Sequence, residues 1–412
     1  MKKISLILNT ILLGIILLSA CDKPSGKFSA GIWRGALITE TGVEIPFNFE
    51  VKDSAENHTI YIINGEERFK VDEITRVGDS IHIRMPLFDS EINGVILDEK
   101  ITGVWTKHLA DKDVEMTFYA KANANWRISE NVVESRFKVN GRWKTTFISE
   151  DGKDTTQAIG EFVQNKSKVT GTFLTTTGDY RYLEGVIDAN KLSLSTFDGA
   201  NAYLFTATVN ADSTLTDGKF YAGFSHVENF SAKLDSTATL PDAYSLTYLK
   251  DKNAKIDFTF KDLNGKAVSL SDSKFKGKVV VLQILGSWCP NCMDETAYLA
   301  GFYERYKSKG VEVLGLAYER TKDFEKSKAN IENVERRFNT SYPFLITGFT
   351  NKEASQSLPM LNKVMAFPTL IVIDKNGDVN NIHTGFNGPG TGKYYLEFTH
   401  EFETLIDQLV KS

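Results

Sequence analysis

Two cysteines separated by two residues, in Trp288-Cys289-Pro290-Asn291-Cys292, are the side chains of this 412-residue sequence whose type and spacing point most directly to chemistry. They follow the apolar run Val279 to Leu285 and open a helical pattern from Pro290 to about Lys307. At a helix start this spacing brings two sulfurs within bonding distance. The first lies near unsatisfied N–H groups and the positive end of the helix dipole, which lower a thiol pKa from about 8.5 towards about 3.5–7.5. The chemistry expected is thiol–disulfide exchange, with Cys289 as the attacking thiolate and Cys292, one turn deeper, as the thiol that resolves a mixed disulfide. Pro290 suits the first helical position, where its missing N–H is not needed. A structural zinc site and an inert disulfide are the competing readings. Zinc needs two more soft ligands, and the one other cysteine is Cys21, so no metal is expected.

The rest of the sequence must place such a pair. A chain of this length suggests two or three domains, and 42% hydrophobic residues allow real cores. A formal charge of −5 argues against nucleic acid as a partner. Met1-Lys2-Lys3 followed by the apolar run Ile4 to Leu18 reads as a secretory signal, too short to be a permanent span. It ends in Leu18-Ser19-Ala20-Cys21, which resembles a bacterial lipobox. That resemblance implies cleavage before Cys21 and acylation of its sulfur and amino group, an anchor to membrane lipid worth about 0.8 kcal/mol per buried CH₂. An ordinary cleaved signal with a stray cysteine is the alternative. With Cys21 given to lipid, Cys289 and Cys292 are the only pair left, and an exported dithiol must exchange electrons with a partner protein.

Six segments are expected: a signal peptide at 1–20, a lipidated tether at 21–28, a first β repeat at 29–125, a linker and second β repeat at 126–236, a linker at 237–250, and an α/β domain at 251–412. The two repeats are marked by alternating runs such as Glu44 to Val51, Thr59 to Ile63, Ser80 to Met85, Leu192 to Ser195 and Tyr203 to Val209, punctuated by turns such as Asn64-Gly65 and Asp217-Gly218. Gly31-Ile32-Trp33-Arg34 matches Gly141-Arg142-Trp143-Lys144 at an offset of 110 residues, and Phe88-Asp89 matches Phe197-Asp198 at 109. Two copies of a meandering antiparallel sheet or small barrel follow, with the tryptophans read as core residues in preference to a ligand cage.

After Leu240-Pro241-Asp242 the pattern becomes α/β alternation. Expected in order are a hairpin of Ile256 to Phe260 with Ala267 to Leu270, the buried strand Val279 to Leu285, and the dithiol helix. A strand at Val311 to Ala317, a helix at Thr321 to Phe338, a strand at Tyr342 to Thr347 and a helical stretch at Ala354 to Val364 come next. A hairpin of Leu370 to Ile373 with Val379 to His383 and a final helix striped by Phe398, Phe402, Leu405 and Leu409 close the chain. The stripe Cys292, Leu299, Phe302, Tyr306 on the dithiol helix also contains Glu295, which places its carboxyl inward below the sulfurs, where burial would raise its pKa. A solvated first-turn glutamate is the alternative.

Trp-Cys-x-x-Cys after a buried strand, with Phe367-Pro368-Thr369 about eighty residues later before another strand, resembles the thioredoxin superfamily. Gly277-Lys278, Gly286-Ser287-Trp288-Cys289 and Asp374-Lys375-Asn376-Gly377 narrow the resemblance to the membrane-attached TlpA/ResA-like thiol-disulfide oxidoreductases. It covers about residues 250–412. The N-terminal β region lies outside it, although such additions are familiar among Bacteroidetes lipoproteins. The resemblance implies a thioredoxin-like α/β domain and a redox-active disulfide without other cofactor. It further implies a cis Pro368 that turns the backbone of Phe367 towards Cys289, where a substrate strand would pair, and a proton-carrying role for Glu295 in place of the buried aspartate of thioredoxin, whose position here is Gln283. Pro290-Asn291 departs from the Glu-Pro pair common in that group. Trp288 is expected to shield the disulfide and, with Pro290, Phe367 and Pro368, to contact substrate. Gly388-Pro389-Gly390-Thr391-Gly392 lacks the lysine and following helix of a phosphate loop and reads as a turn; His383 reads as structural.

The expected function is that of a lipid-anchored disulfide reductase of the bacterial cell envelope, acting on extracytoplasmic proteins and supplied by a membrane electron donor. A peroxiredoxin-type peroxidase and a binding lipoprotein whose β repeats hold a partner are the alternatives. The first would require a threonine where Ser287 cannot supply it.

Overall fold

A computed structural model describes residues 26–53 and 58–412. Cys21, the apolar run before it and most of the tether lie outside the described residues. No described helix is long and apolar enough to cross a membrane.

The first β repeat is a nine-stranded antiparallel meander, from Gly31–Ile38 to Asp113–Ala122, whose first and last strands pair at its centre. The second repeat follows the same path from Gly141–Ser149 to His226–Leu234 and also pairs Thr155–Asn165 with Lys168–Thr175 and the latter with Leu183–Asp188, which closes it into a barrel. The repeat visible in the sequence is a repeat in space. Trp33 Nε1 donates to the Ser29 carbonyl at 2.9 Å, and Trp143 Nε1 donates to the Val139 carbonyl at 2.9 Å, each four residues back. Both indoles are fully buried, so a partner for the N–H is a condition of burial.

The C-terminal domain is a seven-stranded sheet between two apolar layers. Its elements are β1 (Thr259–Asp262), β2 (Ala267–Ser269), β3 (Val279–Leu285), α1 (Pro290–Tyr306), β4 (Val311–Ala317), α2 (Phe324–Phe338), β5 (Phe344–Ile346), α3 (Ala354–Ser357), β6 (Thr369–Ile373), β7 (Val379–Thr384) and α4 (Lys393–Lys411). The strand order is β2-β1-β5-β4-β3-β6-β7, with β3, β4 and β5 parallel and β6 antiparallel to β3. The unbroken apolar run of β3 is explained by two buried faces. Val279, Val281 and Leu285 face α1 and α4, while Val280, Leu282 and Ile284 face the opposite layer with Leu314 and Leu316.

Several elements are shorter than the sequence pattern suggests. The helical stretch at Ala354 to Val364 stops at Ser357, because Pro359 forces Leu358 out of the helical region, to φ −125° and ψ 67°. The helix expected from Thr321 begins at Phe324, where the Asp323 carboxylate caps Lys326 N. The strand expected over Tyr342 to Thr347 is confined to β5, and that expected from Ile256 starts at β1. The Gly-Pro-Gly segment is a 3₁₀ turn, Pro389–Thr391, leading into α4. The stretch 237–250 is no free linker: Ala243 pairs with Thr384, Lys250 with Met360, and Thr247 is buried.

Candidate active site

β3 delivers the chain to Gly286, and a turn of three residues then sets Cys289 as the N-cap of α1. Gly286 has no side chain for a reason: a Cβ there would sit 2.1 Å from Trp288 Nε1, so glycine alone lets the indole fold back over the loop. That indole donates to the Tyr318 carbonyl at 3.0 Å and packs on the Phe367 ring. The loop is fastened from the side by Glu319, whose buried carboxylate accepts Ser287 N at 2.8 Å, Ser287 Oγ at 2.6 Å and Asn330 Nδ2 at 3.2 Å.

At the helix start Cys292 N donates to Cys289 Sγ at 3.2 Å, so the first sulfur takes the place of a capping oxygen. That amide and the positive end of the helix dipole both face the sulfur. Cys289 is 6% exposed and its thiol reaches the Phe367 carbonyl at 3.5 Å. Cys292 is fully buried, and burial, the bond to Cys289 and the charges of Cys289 and Glu295 hold its thiol well above the ordinary range. The two sulfurs of one turn are thus unlike, one at the mouth and one sealed with its proton.

Glu295 lies fully buried one turn below Cys292, and both its carboxyl oxygens lack a hydrogen-bond partner. Burial pushes its pKa up to about 8 against the opposing pull of the Gln283 side chain, whose Nε2 donates to the Cys292 carbonyl at 3.3 Å. Gln283 Oε1 is itself occupied by Thr296 Oγ1 and Tyr342 Oη. The floor of the site therefore contains one titratable carboxyl, and it sits within electrostatic reach of the resolving thiol.

The Phe367–Pro368 bond is cis, and the Pro368 carbonyl accepts Gly385 N at 2.9 Å. The structure thus gathers Trp288, Cys289, Pro290, Cys292, Glu295, Phe367 and Pro368 around one helix start; Cys21 lies outside the described residues. His383 stands apart, buried, hydrogen-bonded to the Gly385 carbonyl and pushed down to about 4 by desolvation.

The repeats enter the site, which the sequence did not disclose. Asn291, between the cysteines, donates to the Asp179 carbonyl at 3.1 Å. Asp179 Oδ2 also accepts Gly388 N at 2.8 Å. Next to it, buried Arg181 makes a two-pronged bond to Asp294 at 2.8 and 2.9 Å and reaches Glu67 at 2.7 Å and Asp198 at 3.2 Å. Desolvation opposes the guanidinium charge, but three carboxylates override it and hold Arg181 firmly charged. Burial pushes Asp179 up to about 7, so that carboxyl is part-protonated at neutrality, and burial also raises Glu67. The only hint in the sequence is an Arg flanked by Tyr180 and Tyr182 at a hairpin end. Nothing in it connects that hairpin to α1, over a hundred residues away.

Fold and site together define a thioredoxin-like dithiol domain joined to two β repeats. The Redoxin family model matches residues 249–395. The chain is 36% identical over 129 residues to thiol-disulfide oxidoreductase ResA of Geobacillus kaustophilus, covering 31% of this chain and 66% of that protein. It is 32% identical over 141 residues to ResA of Geobacillus thermodenitrificans, covering 34% and 73%, and 30% identical over 129 residues to ResA of Bacillus subtilis, covering 31% and 64%. The chain belongs to this family of ResA-like thiol-disulfide oxidoreductases through its C-terminal domain. It spans about two thirds of the length of these curated relatives. The family's chemistry is that of a redox-active cysteine pair with no further cofactor.

Two outcomes follow from these environments. Between pH about 4.5 and 8 the folded protein holds a proton on Glu295 that the unfolded chain releases, so stability falls as pH rises through that window, by an amount on the order of 4–5 kcal/mol. Denaturant titrations at several pH values should show a flatter dependence for Glu295→Gln than for wild type; identical slopes would mean the carboxyl is ionised throughout. Arg181→Ala leaves buried carboxylates uncompensated and should lower stability by about 3–5 kcal/mol, measured the same way at neutral pH.

Proposed function

We propose that this chain is an exported, lipid-anchored thiol-disulfide oxidoreductase that reduces disulfides of extracytoplasmic proteins and is re-reduced by a membrane electron donor. The observation that carries the reading of the chemistry is the division of labour in the first turn of α1. A capped sulfur, 6% exposed, lies at the mouth, a sealed thiol lies beneath it, and an unpartnered carboxyl with its pKa raised to about 8 lies beneath that. The anchor rests on Lys2-Lys3, the apolar run Ile4 to Leu18 and the lipobox-like ending at Cys21. The kinship with ResA supports thiol-disulfide exchange, and the reducing direction is the proposal's own further step.

In the first step the Cys289 thiolate attacks one sulfur of a substrate disulfide. A Cys289–substrate disulfide forms and the second substrate sulfur leaves as a thiolate, to be protonated from solvent. Cys292 then attacks Cys289 Sγ. Its proton passes to Glu295 in the fraction of molecules whose carboxyl is ionised at the working pH, the Cys289–Cys292 bond forms, and the first substrate sulfur leaves as a thiolate. Two electrons have moved from the dithiol to the substrate. A carboxyl with a pKa near the working pH exchanges protons in both directions, and Glu295 returns the proton when the donor reopens the disulfide. The Phe367 carbonyl, already in contact with Cys289, offers the backbone acceptor against which an extended substrate aligns.

Cys289→Ser should abolish reduction of insulin disulfides by the full chain, whereas Cys292→Ser should retain the first step and accumulate mixed disulfides visible on non-reducing gels. Activity that survives Cys289→Ser would refute the mechanism. In a bacterial host, fatty-acid labelling should tag the wild-type chain and not Cys21→Ala; equal labelling would refute the anchor.

A further inference from the structure

Three cavities adjoin between the β repeats and the dithiol domain. The largest, about 980 Å³, is walled by Trp105 and Lys107 of the first repeat, Tyr203 and Phe224 of the second, and Arg320 beyond β4. A second, about 350 Å³, shares Ala110 and Arg320 with it and runs along Ser287 and Trp288. A third, about 320 Å³, shares Asn201 and Tyr203 with the first and ends on Asn291. Through these shared walls they line up as a trough that reaches Trp288, the residue before Cys289, at one place and Asn291, the residue before Cys292, at another. Arg320 lies over the Trp288 ring at 4.9 Å, and both Arg320 and Tyr203 stand close enough to Cys289 to feel its charge.

On the side of the second repeat, the surface beside the dithiol is covered by the hairpin that leads into Arg181. Thr177 and Gly178 lie so tightly against Gly385 that a Cβ there would meet the Thr177 carbonyl carbon at 2.9 Å. Asp179 is hydrogen-bonded to both Asn291 and Gly388, and Arg181 bolts the same hairpin to Asp294. Cys289 is only 6% exposed, so a disulfide held on the broad face of a folded protein approaches its sulfur less readily than one in a chain a single residue thick.

Resting on the dithiol chemistry above, we propose that this trough is the substrate channel and that its occupant is an extended, cysteine-bearing polypeptide segment. The walls suit such a guest. They mix aromatic faces with charges of both signs, Lys107 and Arg320 against Asp111 and Asp113, so no single side-chain charge is selected. The repeats then serve as half of the active site, and they restrict the enzyme to substrates that are unfolded or locally unravelled.

The test uses the full chain, reduced beforehand, with three disulfides: a flexible peptide bridged by one cystine, a folded protein bearing one exposed cystine, and the small aromatic disulfide DTNB. Asn201→Trp narrows the junction of two cavities, and Ser225→Trp, at an exposed position on the rim of the largest, leaves the fold undisturbed. For wild type, kcat/KM should be about tenfold or more higher for the flexible peptide than for the folded protein. Each variant should lose about tenfold or more on the peptide while DTNB reduction stays within about twofold of wild type. Equal wild-type rates on peptide and folded protein would overturn the proposal, as would wild-type peptide rates in both variants. Equal loss on peptide and DTNB would also overturn it, by showing that small disulfides share the route. Failure of the wild type to reduce any of the three would instead strike at the dithiol activity.

Discussion

A single buried guanidinium ties together three units of the molecule. Arg181 issues from the second repeat and binds Glu67 of the first, Asp198 of its own and Asp294 near the start of α1. Its planar fork suits this task, because several bonds can be made at fixed angles from one rigid group, which a lysine cannot do. Burying a charge is expensive unless it is surrounded by partners, and here the partners come from three separate units of structure. The charge is therefore satisfied only when all three are docked. The apolar contacts agree: one continuous cluster runs from Trp33 and Phe118 through Phe197 and Ala202 to Cys289 and Leu299.

The dithiol turn depends on that docking less for its shape than for its surroundings. Its shape is local, set by Gly286, by the Glu319 carboxylate under Ser287 and by Cys289 acting as its own helix cap. Its surroundings are supplied from outside. Carboxyl oxygens left without donors, as in Glu295, are destabilising, and such a group is retained where its ability to gain and lose a proton matters more than the hydrogen bonds it forgoes. Glutamine at position 283 completes the arrangement by using its own amide on Cys292 and Thr296 instead of offering a second titrating group.

Local chemistry was legible from the sequence, and long-range assembly was not. β3, β4 and the start of α1 stood out because their apolar runs and the Pro-capped helix follow directly from backbone geometry. Glu295 could be placed inward by counting along the helix, since Cys292, Leu299 and Phe302 share its face. The duplication was visible through Trp33 and Trp143 because a buried indole needs the same carbonyl partner in each copy. Helix length near Pro359 was overestimated because apolar periodicity continued past a residue that ends hydrogen bonding. Tyr203, Asp179 and Arg181 could not be connected to the dithiol, because the repeats' docking onto α1 is decided by tertiary packing and leaves no periodic trace. Glu319 was missed for a related reason: a lone glutamate after a strand has many exposed counterparts, and only its burial beside Ser287 distinguishes it.

Glu67 and Arg181 stand on matching hairpins of the two repeats. The strands His58–Asn64 and Glu67–Val71 correspond, at the same offset as the tryptophans, to Lys168–Thr175 and the short strand Gly178–Asp179 that precedes Arg181. Two similar modules side by side carry an inherent ambiguity, since each offers a like hairpin to the third domain. The residues at equivalent places remove it. At that offset the place of Arg181 is held in the first repeat by Val71, so exchanging the repeats would leave Asp294 without its two-pronged partner, and the duplicated half has a keyed orientation in which only one of its two near-copies can face the sulfurs.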